Sequence, residues 1–164
     1  MLRFYLLMQL NLTRMQTIFN ETDKNRILQR VEKLTTQSQP LWGTMTVSQM
    51  LAHFNEACRI PVGEVTVKPV SFPLNVFGRL IKSSVLGSAP FRRNSPTATE
   101  TRITGNKDFE TEKARYIETI NKLYAGGEKI IKTERHHVFG KLTSAEWGRM
   151  VYKHADHHLS QFGV

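Results

Sequence analysis

The sequence predicts an all-α fold, a four-helix bundle with a long crossover connection between its second and third helices. Three observations carry this. Four stretches space their apolar residues at the helical period, and the starts of those stretches carry side-chain capping signals. Alternation of the strand kind is confined to residues 64–68.

The first helix opens at Glu21-Thr22-Asp23, where capping residues precede Ile27, Leu28, Val31 and Leu34. The polar run 35–40, closed by Pro40, ends it. The second opens at Thr46-x-x-Gln49, the form of a capping box, carries His53 and stops before Pro61. From 61 to 105, prolines 61, 69, 73, 90 and 96 punctuate the chain. Only Val76, Phe77, Leu80 and Ile81 fit one short helix there, so this part reads as the crossover, with a wall of the functional pocket as its expected role.

The third long helix follows Thr104-Gly-Asn-Lys-Asp108, with Phe109, Ala114, Ile117, Ile120, Asn121 and Tyr124 available to its inner side. Gly126-Gly127 stops it. A connection containing His136-His137-Val138-Phe139-Gly140 leads to the last helix, which starts at the capping box Thr143-Ser-Ala-Glu146 and runs almost to Val164.

A chain of 164 residues with 40% hydrophobic and 23% charged residues is the size of one ordinary globular domain. Its single cysteine, Cys58, excludes an internal disulfide framework and suits a reducing cytoplasm; on the apolar side of a helix it reads as a buried, inert thiol. The net charge of +9 raises nucleic-acid binding, but the basic residues are scattered, the tightest groups being Arg79/Lys82 and Arg92/Arg93. Nucleic acid is therefore not an expected partner. Residues 1–14 are apolar but too short for a membrane span, which needs about 20 apolar residues, and no membrane partner is expected. They read as an extension upstream of a natural start at Met15, with an apolar arm on the domain or on a neighbouring subunit as the other reading.

The chemistry concentrates on the last helix. At about 100° per residue, Trp147, Met150, Val151, His154, His158 and Gln161 share one face, so two histidines stand one turn apart where apolar residues belong. Histidines at that spacing converge on one point, as ligands of one ion do. Two do not fill a coordination sphere. His53, on the apolar flank of the second helix, is the candidate third ligand. His157 lies about 60° from His154 and about 100° from His158, at the edge of the stripe, which assigns it a supporting or solvent-facing place.

Gln161 stays on the stripe, where it can orient the second nitrogen of a ligand. Glu56, close to His53 in sequence, is the candidate general base. His136 and His137 read as loop residues, and Trp42 and Trp147 as core. There is no phosphate-cradling glycine loop, no Gly-x-Ser-x-Gly elbow and no Cys-x-x-Cys pair, so metal-assisted chemistry is the catalytic option these residues support.

A Trp in Leu41-Trp42-Gly43-Thr44-Met45-Thr46, a His at position 53 in the helix that follows, and a terminal His154-x-x-x-His158-x-x-Gln161 together resemble the DinB/YfiT-like superfamily of metalloenzymes. Within it the nearest likeness is to a domain family of unknown function, echoed also by Pro96-Thr97-Ala98, by Lys107-Asp108-Phe109-Glu110, and by the stretch from Phe139 to the end. The likeness runs from about Met15 to Val164, so that 15–164 is read as one domain.

The resemblance implies a bundle that holds one divalent transition metal, with zinc, nickel, iron and manganese all admitted by three imidazoles. It further implies either thiol transfer, with a low-molecular-weight thiol as cofactor, or hydrolysis of a small-molecule substrate. A non-catalytic metal-binding or stress-response module, with a second copy of the chain as candidate partner in a homodimer, is the alternative from another class.

Overall fold

The computed structural model describes residues 14–95 and 97–164. The proposed extension therefore lies outside the described residues except for Arg14, as does Pro96. Among the described residues the fold is mostly helical: α1 (Glu21–Glu32), α2 (Val47–Cys58), α3 (Leu74–Val85), α4 (Phe109–Gly126) and α5 (Ser144–Gln161). Short 3-10 turns occupy Thr99–Thr101 and Gly127–Ile130, and β1 (Arg135–His136) pairs antiparallel with β2 (Gly140–Lys141). None of the described helices is long and apolar enough to cross a membrane.

The helix starts follow from local hydrogen bonding. Thr46 accepts from the Gln49 amide while the Gln49 side chain accepts from the Thr46 amide, and Thr143 and Glu146 do the same at α5. Asn20 and Asp108 cap α1 and α4 through their side chains. At the far end of α4 the chain turns through Gly127 at φ 53°, a region that favours glycine.

Helices α1, α2, α4 and α5 pack on one another around Ile27, Val31, Met50, Phe54, Tyr116, Ile120 and Leu159, all fully buried. Each such side chain contributes about 1.5–3 kcal/mol when taken out of water. Cys58 joins this core, and its burial pushes the thiol's pKa up. Arg30 on α1 grips the end of α5, donating to the Val164 carbonyl at 2.9 Å, to Ser160 Oγ at 2.9 Å and to the Asp156 carboxylate. A smaller cluster of Ile60, Leu86, Leu142, Trp147 and Met150 sits beside it.

One local expectation is corrected. The alternating residues 64–68 form no strand, in keeping with their place in the crossover, but residues 137–139, where a connection was expected, are flanked by a two-residue strand pair, the only strands among the described residues. Alternation alone does not make a strand without a partner to accept its hydrogen bonds. The short helix expected around Val76–Ile81 is present as the three-turn α3. Its apolar residues, however, face outward.

Candidate metal centre

Each of the three histidines expected as ligands lies inside a helix, His53 on α2 and His154 and His158 on α5. Residues His154 and His158 are separated by one turn, and the packing of α2 against α5 brings His53 to them. Nε2 of His154 is 3.1 Å from Nε2 of His53 and 2.9 Å from Nε2 of His158. One nitrogen from each ring lies within 4.8 Å of the other two. His53 and His158 are buried and His154 is half-buried.

The protons of two rings are accounted for by groups outside the cluster. His53 Nδ1–H donates to the Thr101 carbonyl at 2.8 Å. His158 Nδ1–H donates to Gln161 Oε1 at 2.9 Å, and the Gln161 amide N–H donates to the Trp42 carbonyl at 2.7 Å. The Trp42 bond fixes which way the amide points, because a carbonyl can only accept. Both rings therefore turn an Nε2 lone pair toward His154.

His154 Nε2 can carry at most one proton, so at most one of its two short contacts is a hydrogen bond; the other sets lone pair against lone pair. A cation shared by the three nitrogens would relieve that opposition of lone pairs. Two nitrogens sharing an ion at about 2.0–2.1 Å stand about 2.9–3.4 Å apart at coordination angles of about 90–110°. The two distances to His154, 2.9 and 3.1 Å, fall in that interval, and the third pair, His53 to His158, lies within 4.8 Å.

The electrostatics agree with neutral rings. Burial lowers the pKa of His53, against the Thr101 bond that raises it; burial pushes His158 down to about 3; and burial, together with the neighbouring His158 and His53, holds His154 well below the ordinary histidine range. Neutral imidazole is the ligating form.

A cavity of about 400 Å³ opens against this cluster. It is lined by His53, His158 and Gln161, by Trp42, Thr44 and Gln49, and by Asn94, Ser95, Thr97 and Arg102 of the crossover, as expected of a pocket wall. His157 also lines it, edge-on to Trp42 at 5.8 Å between ring centroids. It makes none of the short contacts to His154 Nε2 that His53 and His158 make.

Glu56 is placed elsewhere. Its carboxylate is held at 2.7 Å by Arg59 and at 2.7 Å by Arg115 on α4, and these guanidinium groups outweigh its partial burial and lower its pKa. It does not line the cavity, so the structure does not bring this expected base to the histidines. Three residues on from His53, it has turned toward the α2–α4 seam instead of α5.

Trp147 is core, as expected, whereas Trp42 is half-buried at the cavity with the Arg93 guanidinium over its ring at 4.2 Å. Nδ1 of His136 accepts from the Val138 and Phe139 amides, a loop-capping role. Sequence reasoning missed Thr101 and the Trp42 carbonyl, which act through backbone atoms that any residue supplies. Gly43 carried a partial signal: its φ is 80°, and a Cβ there would stand 2.7 Å from Gln161 Nε2.

Fold and site together define a mostly helical protein with three converging imidazoles compatible with one metal ion. The sequence profile of a family described as "Protein of unknown function (DUF1569)" matches residues 13–163, and the chain belongs to that family. No curated protein and no solved structure matches it.

Proposed function

We propose that this protein is a metal-dependent enzyme of the DinB/YfiT-like kind, a cytoplasmic four-helix bundle of α1, α2, α4 and α5 in one domain over 15–164. One divalent transition metal is held by His53, His154 and His158 and used on a small-molecule substrate in the adjoining cavity. The observation that carries the reading is the proton inventory: two Nδ1–H groups are engaged by Thr101 and Gln161, which leaves Nε2 atoms with unmatched lone pairs around His154.

When bound, such an ion supplies Lewis acidity, lowering the pKa of a water or a thiol at its open side. The protein's own contribution is positional. Thr101 and Gln161 hold two ligand rings in one tautomer, and Gly43 lets the chain approach Gln161 closely enough for the Trp42 carbonyl to hold the amide. Among the described residues that line the cavity, Arg102 alone carries a permanent charge, which favours substrates carrying an anionic group.

The alternative, a non-catalytic module with a structural ion, requires a closed coordination sphere. Among the described residues no fourth His, Cys, Asp or Glu joins the three, which favours an open site. The test is cobalt substitution followed by titration with a low-molecular-weight thiol and with a carboxylate. A change in the visible spectrum on addition supports an open, substrate-accessible ion; a spectrum indifferent to both supports the structural module. Thiol-transfer and hydrolytic substrates are then screened with loaded and metal-stripped protein.

A further inference from the structure

The cavity beside the histidines is lined by no aspartate or glutamate among the described residues, yet two guanidinium groups belong to it. Arg102 lines it directly, and it follows Thr101, whose carbonyl holds His53. The Arg93 guanidinium lies over the ring of Trp42, a lining residue, at 4.2 Å. Arg14, Arg26, Arg30, Arg59 and Arg115 each pair with a carboxylate, whereas Arg93 and Arg102 have no such partner among the described residues. An unpaired arginine on open surface is simply solvated. Two at one concave site beside a proposed cation make a positive pocket that draws an anion.

The run Arg92-Arg93-Asn94-Ser95 builds this placement locally. The Ser95 hydroxyl donates to the Arg92 carbonyl at 2.8 Å, closing a turn. Asn94 takes φ 55°, the left-handed region that asparagine enters more readily than most other residues, and no other described non-glycine residue has a positive φ. Asn94 and Ser95 thereby join the cavity lining while Arg93 covers Trp42. A guanidinium over an aromatic face is restrained there and keeps its N–H donors, which lie in its own plane, available to an anion. Burial lowers the pKa of His157, another lining residue, against the pull of Asp156, and the charge of Arg93 adds to the lowering. Arg93 is therefore within electrostatic reach of the cavity.

Charge and donor count select the ligand. A carboxylate brings one charge and two oxygens, which leaves one of the two guanidinium groups uncompensated. A phosphate monoester brings about 1.5–2 negative charges at pH 7 and three acceptor oxygens, a match for two planar forks. Thr44, Asn94 and Thr97 also line the cavity, and their side chains donate to no other described residue, so they can serve the remaining oxygens. We propose that Arg93 and Arg102 anchor a phosphate group, so that the substrate of the metal centre is a small phosphorylated molecule. This rests on the reading of His53, His154 and His158 as a metal centre for the substrate's reacting end; the anchor itself stands on the two arginines and does not need the ion.

The test is titration of the full chain with inorganic phosphate and, separately, with acetate, followed by the NMR signals of the Trp42 indole N–H and the arginine Nε–H groups. It is run on protein as purified and again after chelation. Saturating shifts with phosphate are expected in both preparations, about tenfold tighter than with acetate and about tenfold or more weaker in Arg93→Gln and in Arg102→Gln. Arg135→Gln removes the same charge from an exposed residue outside the cavity lining and is expected to bind phosphate as the parent does. All three arginines are exposed, so thermal midpoints and metal content close to the parent's are expected for each variant. Absence of a saturating shift with phosphate, acetate binding as tightly as phosphate, or equal weakening in all three variants overturns the proposal. Phosphate binding that is lost on chelation assigns the anion to the ion and likewise overturns the anchor. A parent that binds phosphate as expected but never loads metal supports the anchor and counts against the metal reading alone.

Discussion

Gln161 Oε1 stands 2.9 Å from Nδ1 of His158, three residues back on the same helix, and this contact decides which nitrogen of the ring carries the proton. Because the amide nitrogen of Gln161 is committed to the Trp42 carbonyl, its oxygen must face the ring, and Nε2 of His158 is left as a lone pair. Replacing Gln161 by Leu removes the acceptor without touching a proposed ligand. Metal affinity is expected to fall about 10–100-fold, read by competition against a chromophoric chelator. Unchanged affinity would show that the ring needs no orienting partner.

Gly43 supports the same relationship from the other side. Alanine there would meet Gln161 Nε2 at 2.7 Å on a backbone at φ 80°. Gly43→Ala is expected to cost about 1–3 kcal/mol in urea unfolding and to weaken metal binding in the same direction as Gln161→Leu. Parent-like values for both would mean that the loop yields freely.

The pH dependence follows from burial. His158 and His136 are each pushed down to about 3, from an ordinary value near 6.5, chiefly by burial. Unfolding restores the ordinary value, so below about pH 6.5 the unfolded chain binds protons that the folded chain refuses. The stability of metal-stripped protein is therefore expected to be full above that pH and to be lost progressively from about pH 6.5 toward pH 3. The slope approaches about 1.4 kcal/mol per pH unit for each such group. Urea midpoints measured across that window check it; a flat profile would mean that these rings are already protonated or solvated in the fold.

Glu56 provides a negative control. With its carboxylate held by Arg59 and Arg115 on a partly exposed seam, Glu56→Gln is expected to lose no more than about 1 kcal/mol. It is also expected to load metal as the parent does. Loss of metal loading would place Glu56 in the site after all.

The long helices and the three histidines were legible because their information resides in side chains repeated at the helical period: Thr46/Gln49 and Thr143/Glu146 announce helix starts, and His154 and His158 occupy apolar positions. What was illegible depends on partners distant in sequence. The Thr101 carbonyl that holds His53 leaves no mark on residue type, and Glu56 lost its expected role to Arg115, which is 59 positions away. For α3, an amphipathic pattern predicts two unlike faces but not which one faces the protein. Gly78 and Lys82 decided that through tertiary contacts, and the apolar face was left outside.

The most direct test of the metal centre is elemental analysis of untagged protein purified without chelator, run beside His53→Ala, His154→Ala, His158→Ala and His157→Ala. The account predicts about one equivalent of a transition metal in the parent and in His157→Ala, and none in the other three. Equal metal content in all five proteins, or a parent that stays empty after reconstitution, would contradict it and leave the three imidazoles as a polar cluster between α2 and α5.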